Sequence, residues 1–435
     1  MNLSYLQLIR QNRNFRNLLW GQVISELGNW FNFVAGLGVV RLVSGASPEA
    51  AGLLLLFRTL PFAVLMPIAG AVADRFSRRT VLLVSDVLRA GIALLFLLVT
   101  RPEDLWIAYG ASILLSGATA FFDGAKNAAT PNITGKEGLL SGTALMFSTR
   151  FLLMAVGAAL GGIAAVVFGY EIAFIINAIS FLVSAASIWL IPEDAMRQRS
   201  PEERVIERQS RPGFFSEIAE GLRYTVKNPF ALTILLMNII WATGGGATNI
   251  VFEGLGTMVF TNESTNPDFV YSFLLTANGI GLGLGMLIAH KVGSYVEKLG
   301  ITRGFMTWTL IIHGVIFGIA GFMPYLWLVA LLVMISRAMI GAEYAVQETL
   351  FQRSLPDHIR GRISTLDRGA EITMFSISSY AAGISLTVIS AESLTMIAGL
   401  MAATSGLVWM FRSRGVGHDL KEPEKNANHA LEAGN

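Results

Sequence analysis

Apolar residues fill the chain in twelve long runs separated by short polar turns. Six lie near residues 17–42, 50–73, 79–100, 105–128, 139–168 and 170–191, and six near 230–260, 268–292, 302–323, 325–352, 363–389 and 391–411. Each holds about 20 residues or more, enough for a helix to cross a ~30 Å hydrocarbon layer. The pattern predicts an all-α membrane protein with twelve transmembrane helices. Between Pro192 and Pro229 polar and charged residues take over and divide the runs into two sets of six. There Phe215, Ile218, Leu222 and Val226 recur at helical spacing opposite Glu217, Glu220, Arg223 and Lys227. That spacing predicts an amphipathic helix over 214–227 on the membrane surface; the alternative is a solvated loop. The expected organisation is a six-helix bundle over 1–192, a cytoplasmic linker over 193–229, a second bundle over 230–411 and a disordered cytoplasmic tail over 412–435.

Composition agrees with the pattern. Hydrophobic residues make up 53% of the 435 and charged residues only 14%, with a mean hydropathy of +0.57, too apolar for a soluble chain of this length. A net charge of +2 gives no footprint for nucleic acid. With no cysteine, disulfides, thiolate metal sites and cysteine nucleophiles are excluded, and the five histidines are scattered without a paired spacing, so no metal site is expected. Gly279, Gly281, Gly283 and Gly285 superficially imitate a nucleotide loop, but they lie inside an apolar run with no strand before it. Neither an enzyme nor a cofactor is expected. Arg10, Arg13 and Arg16 precede the first run as in a signal peptide, yet that run is too long and ends without a cleavage site, so it is read as a retained span.

Basic residues set the orientation. All but six of the 32 lysines and arginines fall in the two terminal segments or in alternate loops; the exceptions are Arg41, Arg58, Arg89, Arg101, Arg150 and Arg337. Positive charge is retained on the cytoplasmic side, which places both termini inside and the chain in the plasma (inner) membrane.

The tightest of these turns is Gly70–Thr80, GAVADRFSRRT. Gly70 and Asp74 share a helix face, and Arg75, Arg78 and Arg79 follow beside a span. G-x-x-x-D-R-x-x-R-R between two spans resembles the loop between helices two and three of the major facilitator superfamily. The resemblance implies that Gly70, Asp74, Arg75, Arg78 and Arg79 form a cytoplasmic gate latching two halves together. LPDHIRGRIS from Leu355, EGLRYTVKNP from Glu220 and GQVISELGNW from Gly21 are similar to the branch containing macrolide-efflux pumps and the enterobactin exporter. GAALGG, with Gly157, Gly161 and Gly162, is similar to the antiporter motif G-P-x-x-G-G, with Ala158 where the proline is expected; otherwise its small residues serve close helix packing. The halves also align on Pro131 and Pro356, setting Asp123 against Glu348, as expected of pseudo-repeats around a midplane ligand site. The second copy of the gate, KVGSYVEKLGITR from Lys291, is degraded.

Ionisable residues at membrane depth need a partner, a wet cavity or a function. Glu26, Asn29 and Asn32 form a polar stripe on helix one, and Glu26 is a proton-coupling candidate or a structural hydrogen-bonding partner. Relatives often carry an acid at or near the position of Asn29. Asp86 and Arg89 read as a structural pair. Arg58 and Arg150 recur in the family, and Arg150, mid-span, is expected to face a central cavity and contact an anionic or carbonyl-rich ligand, or else to pair with Glu26 or Asp123. In helix seven Gly244, Gly245 and Gly246, flanked by Asn238, Trp241, Asn249 and Glu253, suggest a hinge lining the cavity, or tight packing. Arg337 and Glu343 in helix ten and Asp367 and Glu371 in helix eleven complete the set. Asp367 and Glu371 are further proton-coupling candidates, and Arg337 and Glu371 a candidate pair across helices. Trp30, Phe31, Phe33, Trp241, Phe252 and Trp308 are candidate cavity walls, most of them read as packing or lipid-facing; as a set they suit an amphiphile better than a sugar. The expected function is proton-coupled export of a hydrophobic or amphiphilic small molecule, a drug or siderophore-like metabolite, by a monomer among membrane lipids. The alternatives are a lipid or lysophospholipid flippase and a non-transporting receptor or assembly factor.

Overall fold

The computed structural model describes residues 3–196, 214–261 and 266–413. The polar tail and the rest of the linker lie outside the described residues, as do the side chains of Asp74, Phe215, Glu217 and Ile218. Among the described residues twelve long helices follow in order: α1 Arg13–Val43, α2 Pro48–Arg75, α3 Arg78–Leu98, α4 Pro102–Gly135, α5 Glu137–Phe168 and α6 Tyr170–Trp189. Then come α7 Pro229–Val259, α8 Pro267–Lys298, α9 Thr302–Ala320, α10 Leu326–Ser354, α11 Asp357–Ser385 and α12 Ala391–Arg412. Eleven are long and apolar enough to cross a membrane. The exception is α11, whose first half carries Asp357, Arg360, Arg362, Asp367, Arg368 and Glu371; its 29 residues still make ~43 Å of helix.

Polar caps mark where spans begin. Ser47 accepts from the Ala50 amide at 3.2 Å with Pro48 in the first turn of α2, and Ser77 accepts from Thr80 at 3.4 Å to start α3. Asn228, Asn266 and Ser390 do the same for α7, α8 and α12, each satisfying an amide the helix leaves free. One boundary differs from expectation. Pro131 lies inside α4, and the turn into α5 is made four residues later at Gly135, which takes the left-handed φ of +66° that a side chain would strain. Pro356, aligned with Pro131 in the sequence, instead starts α11.

In the first half α1 packs on α6 and α3 on α6; in the second α8 packs on α10, and α9 and α7 on α12. The halves meet through α2 with α11 and α5 with α8. Helix direction gives the molecule two faces: a terminal face, where α1 begins and α12 ends, and a distal face. The apolar core is divided along that axis. One cluster near the distal face draws on both halves, including Phe31, Val34, Leu55, Val251, Tyr271 and Leu386. Near the terminal face there are two, one built around Phe15, Leu82 and Phe122 of the first half and one around Phe230, Phe351 and Trp409 of the second. The halves are thus joined at the distal end and packed separately at the terminal end.

Candidate functional site

At the distal end Arg41, in the last turn of α1, ties the halves together. Its guanidinium donates to Glu253 of α7 at 2.8 Å, to Asp268 of α8, and to the Tyr170 hydroxyl of α6 at 3.4 Å. Tyr170 in turn donates to Asp268 at 2.7 Å. Glu253, expected in the cavity, is therefore half of a buried latch. Backbone closeness supports it. A Cβ on Gly52 of α2 would lie 3.1 Å from Gly383 Cα of α11, and one on Gly162 of α5 would lie 2.1 Å from Ser272 Oγ of α8. The antiporter-like glycines are thus packing points: Gly157 and Gly161 against Trp30 and Phe31 of α1, Gly162 against the other half.

At mid-depth in the first half, Arg150 of α5 sits between Glu26 of α1 at 3.9 Å and Asp123 of α4 at 3.6 Å, with its side chain 53% exposed. Asp123 also accepts from Lys126 at 2.7 Å. Both pairings weighed for Arg150 in the sequence occur together. Arg58 reaches from α2 to α1, donating to Asn32 Oδ1 at 2.8 Å and the Asn29 carbonyl at 3.3 Å, and lies over the Phe33 ring. Asp86 and Arg89 form the expected pair, buried with Arg89 between the rings of Phe122 and Phe181.

The second half holds a matching polar cluster. Gln347 of α10 donates to Asn238 of α7 at 2.8 Å, and Asn238 donates to Asp367 of α11 at 2.9 Å. Arg368 donates to Glu371 at 3.0 Å and to the Tyr344 hydroxyl at 2.9 Å. This corrects the expected Arg337–Glu371 pair: Arg337 instead donates to Thr248 of α7 at 2.7 Å and lies over Phe317 of α9. Glu371 takes the cation one turn away on its own helix. At Gly244–Gly246 the helix loosens, but the freed carbonyls are taken up by α11: Ser378 donates to Thr243 at 2.5 Å and Ser379 to Gly246 at 2.7 Å. A Cβ on Gly246 would meet Phe375 O at 2.3 Å, so break and tight packing coexist. Asn249 accepts from Tyr271 at 3.0 Å. Phe252 lies in the distal core, whereas Trp308 points outward from α9.

The Gly70–Thr80 turn stays within its own half in every contact described for it. Arg79 donates to the Trp189 carbonyl at 2.5 Å and lies over that ring, and Arg78 donates to the Met196 carbonyl at 3.2 Å. The linker helix Phe214–Lys227 forms where expected, against α11 and α7. Arg362 anchors it to α11 through Glu220 at 2.5 Å, while Leu222 and Val226 stay exposed.

Residues 6–432 match the family of transmembrane secretion effectors within the major facilitator superfamily. The multidrug efflux pump Tap of Mycolicibacterium fortuitum is 26% identical over 400 residues, covering 88% of this chain and 90% of Tap. Macrolide efflux protein A of Streptococcus pyogenes is 21% identical over 313 residues, covering 71% and 73%. Among solved structures, a bacterial homologue of the iron transporter ferroportin in an inward-facing state superposes with a TM-score of 0.70 at 15% identity, over 92% of this chain and 99% of that one. A bacterial homologue of the lysosomal transporter Spinster, inward-facing and unoccupied, gives 0.67 at 15% identity, over 93% and 98%. By the match along nearly its whole length, this chain belongs to the transmembrane secretion effector family of major facilitator transporters.

Proposed function

We propose that the chain exports a hydrophobic or amphiphilic small molecule across the plasma membrane in exchange for protons, by alternating access. On this reading the terminal face is cytoplasmic, which the distribution of basic residues supports, and the arrangement described is the one open to the cytoplasm. The observation that carries this reading is the core divided by depth, shared at the distal end and separate at the terminal end. That division lets two rigid halves rock about a midplane site. Efflux by Tap and macrolide efflux protein A supports the direction.

On this reading Glu26 and Asp123 share Arg150 at mid-depth, where the cation is half exposed. A proton on Glu26 weakens its hold on Arg150 and frees that guanidinium for an electron-rich group of the cargo. Asp74 with Arg75, Arg78 and Arg79 closes the cytoplasmic end when the halves rock together, and Arg41 lets the distal end open. The test is uptake of a fluorescent amphiphilic dye into inverted membrane vesicles with an acid interior. Wild type is expected to accumulate dye, a protonophore to abolish accumulation, and Glu26→Gln to bind dye without accumulating it. Absence of gradient-dependent accumulation across a broad dye panel overturns the reading.

A further inference from the structure

Glu343 lies near the middle of α10, 1% exposed, and its Oε1 has no hydrogen-bond partner. It lines a small pocket with Asn238 and Trp241 of α7, Tyr344 and Gln347 of its own helix and Glu371 of α11, with room for about one water molecule. The indole Nε1 of Trp241 is likewise buried without a partner. Two unsatisfied groups, one carboxyl and one N–H, therefore belong to residues that line one cavity at membrane depth, where each costs free energy until something joins it.

The charged groups around Glu343 do not supply that partner. From α11, Asp367 accepts from Asn238, and Arg368 is engaged with Glu371 and Tyr344. On α10, Arg337 is bonded to Thr248. From α9, His313 faces Ser336, with Nδ1 and Oγ 2.7 Å apart. Asp367 and Glu371 thus share the neighbourhood of the Arg368 guanidinium, which already has two partners, and the Glu343 carboxyl is left without one. An N–H in the lining suits a carboxyl oxygen or a water and opposes a metal cation.

We propose that Glu343 is a proton-binding site of the second half, distinct from Glu26 in the first and loaded through this pocket. The inference rests on the reading of the chain as a proton-coupled transporter. In the loading step an O–H bond of hydronium breaks, a new O–H bond forms on Glu343 Oε1, and neutral water is left; release is the reverse. Glu371 lines the pocket and holds Arg368, whose side chain is 49% exposed. This pair connects the pocket with the surface and positions the entry.

The test is an infrared difference spectrum between high and low pH on the purified full chain in lipid nanodiscs. A carboxylic-acid C=O stretching band is expected in wild type and in Glu26→Gln, to be lost in Glu343→Gln and to move in frequency in Glu343→Asp. The aspartate variant carries the test should the glutamine variant fail to fold. A band unchanged in both Glu343 variants overturns the site. Vesicle uptake separates the two ideas. If the band depends on Glu343 but wild-type dye uptake ignores the gradient, the site stands and coupled export fails. If uptake follows the gradient and the band is untouched by either variant, coupled export stands and the site fails.

Discussion

Arg41 is the residue on which the distal closure turns. Its guanidinium gathers Glu253, Asp268 and Tyr170 from three other helices, so its removal leaves two buried carboxylates facing one another without a cation. Breaking a buried pair of this kind costs about 3–5 kcal/mol. Arg41→Ala is therefore expected to shift the population by roughly two to three orders of magnitude or more toward an open distal end. The chain has no cysteine, so the shift can be read on Val251→Cys, placed in the distal core, as faster labelling by an impermeant maleimide from the distal side. Labelling at the wild-type rate would remove Arg41 from that role. Arg89 predicts a stability effect instead. Arg89→Leu strands Asp86 in the interior of the first half, and a loss of about 3 kcal/mol is expected, read as a lower melting temperature in detergent. The double variant Asp86→Asn with Arg89→Leu should recover part of it; no recovery would assign the loss to packing between Phe122 and Phe181. The sequence told these residues apart unevenly. Asp86 and Arg89 are three apart and readable as a pair on one helix face, whereas Arg41 and Glu253 are 212 residues apart, a distance at which spacing carries no signal. Arg337 and Glu371 failed as a pair for the same reason, since their depths along two helices are fixed only by packing.

Helices were legible to within a few residues because caps and apolar runs are local. α4 ran past its expected end because the feature that breaks it is the positive φ of Gly135 and not the more conspicuous Pro131. α11 is weakly apolar because its terminal half faces polar partners, Glu220 of the linker and Asn238 of α7, in place of lipid. Its distal half is where the glycines act. A Cβ on Gly383 would lie 2.5 Å from Pro48 O of α2, a backbone atom that cannot turn aside. Gly383→Val is expected to wedge α2 from α11 and speed distal labelling of Val251→Cys, as Arg41→Ala does. Gly110→Val, whose Cβ meets nothing within 4 Å, is the control expected to leave labelling unchanged. Equal rates in the two glycine variants would mean that the α2–α11 contact does not hold the distal end shut.

The polar break after Pro192, with a run of spans on either side, is the feature of the chain from which a division into two halves is expected. Which end is shut is not legible there, because it depends on how side chains from sequences more than 200 residues apart interlock. Two rigid halves rocking about a midplane site must exchange closure at one face for closure at the other, and this makes a prediction about distances between pairs of positions. Phe76→Cys with Arg353→Cys places one spin label on each half near the terminal face, and Leu42→Cys with Phe269→Cys does so near the distal face; all four residues are exposed. Adding Arg41→Ala to each pair is expected to shorten the terminal distance and lengthen the distal one in the same sample conditions. If the distal pair separates while the terminal pair keeps its distance, the distal end opens by local loosening of α7 and α8, and the halves do not move as bodies. Opposite changes of similar size would tie the Arg41 latch to the Gly70–Thr80 turn across the full depth of the membrane.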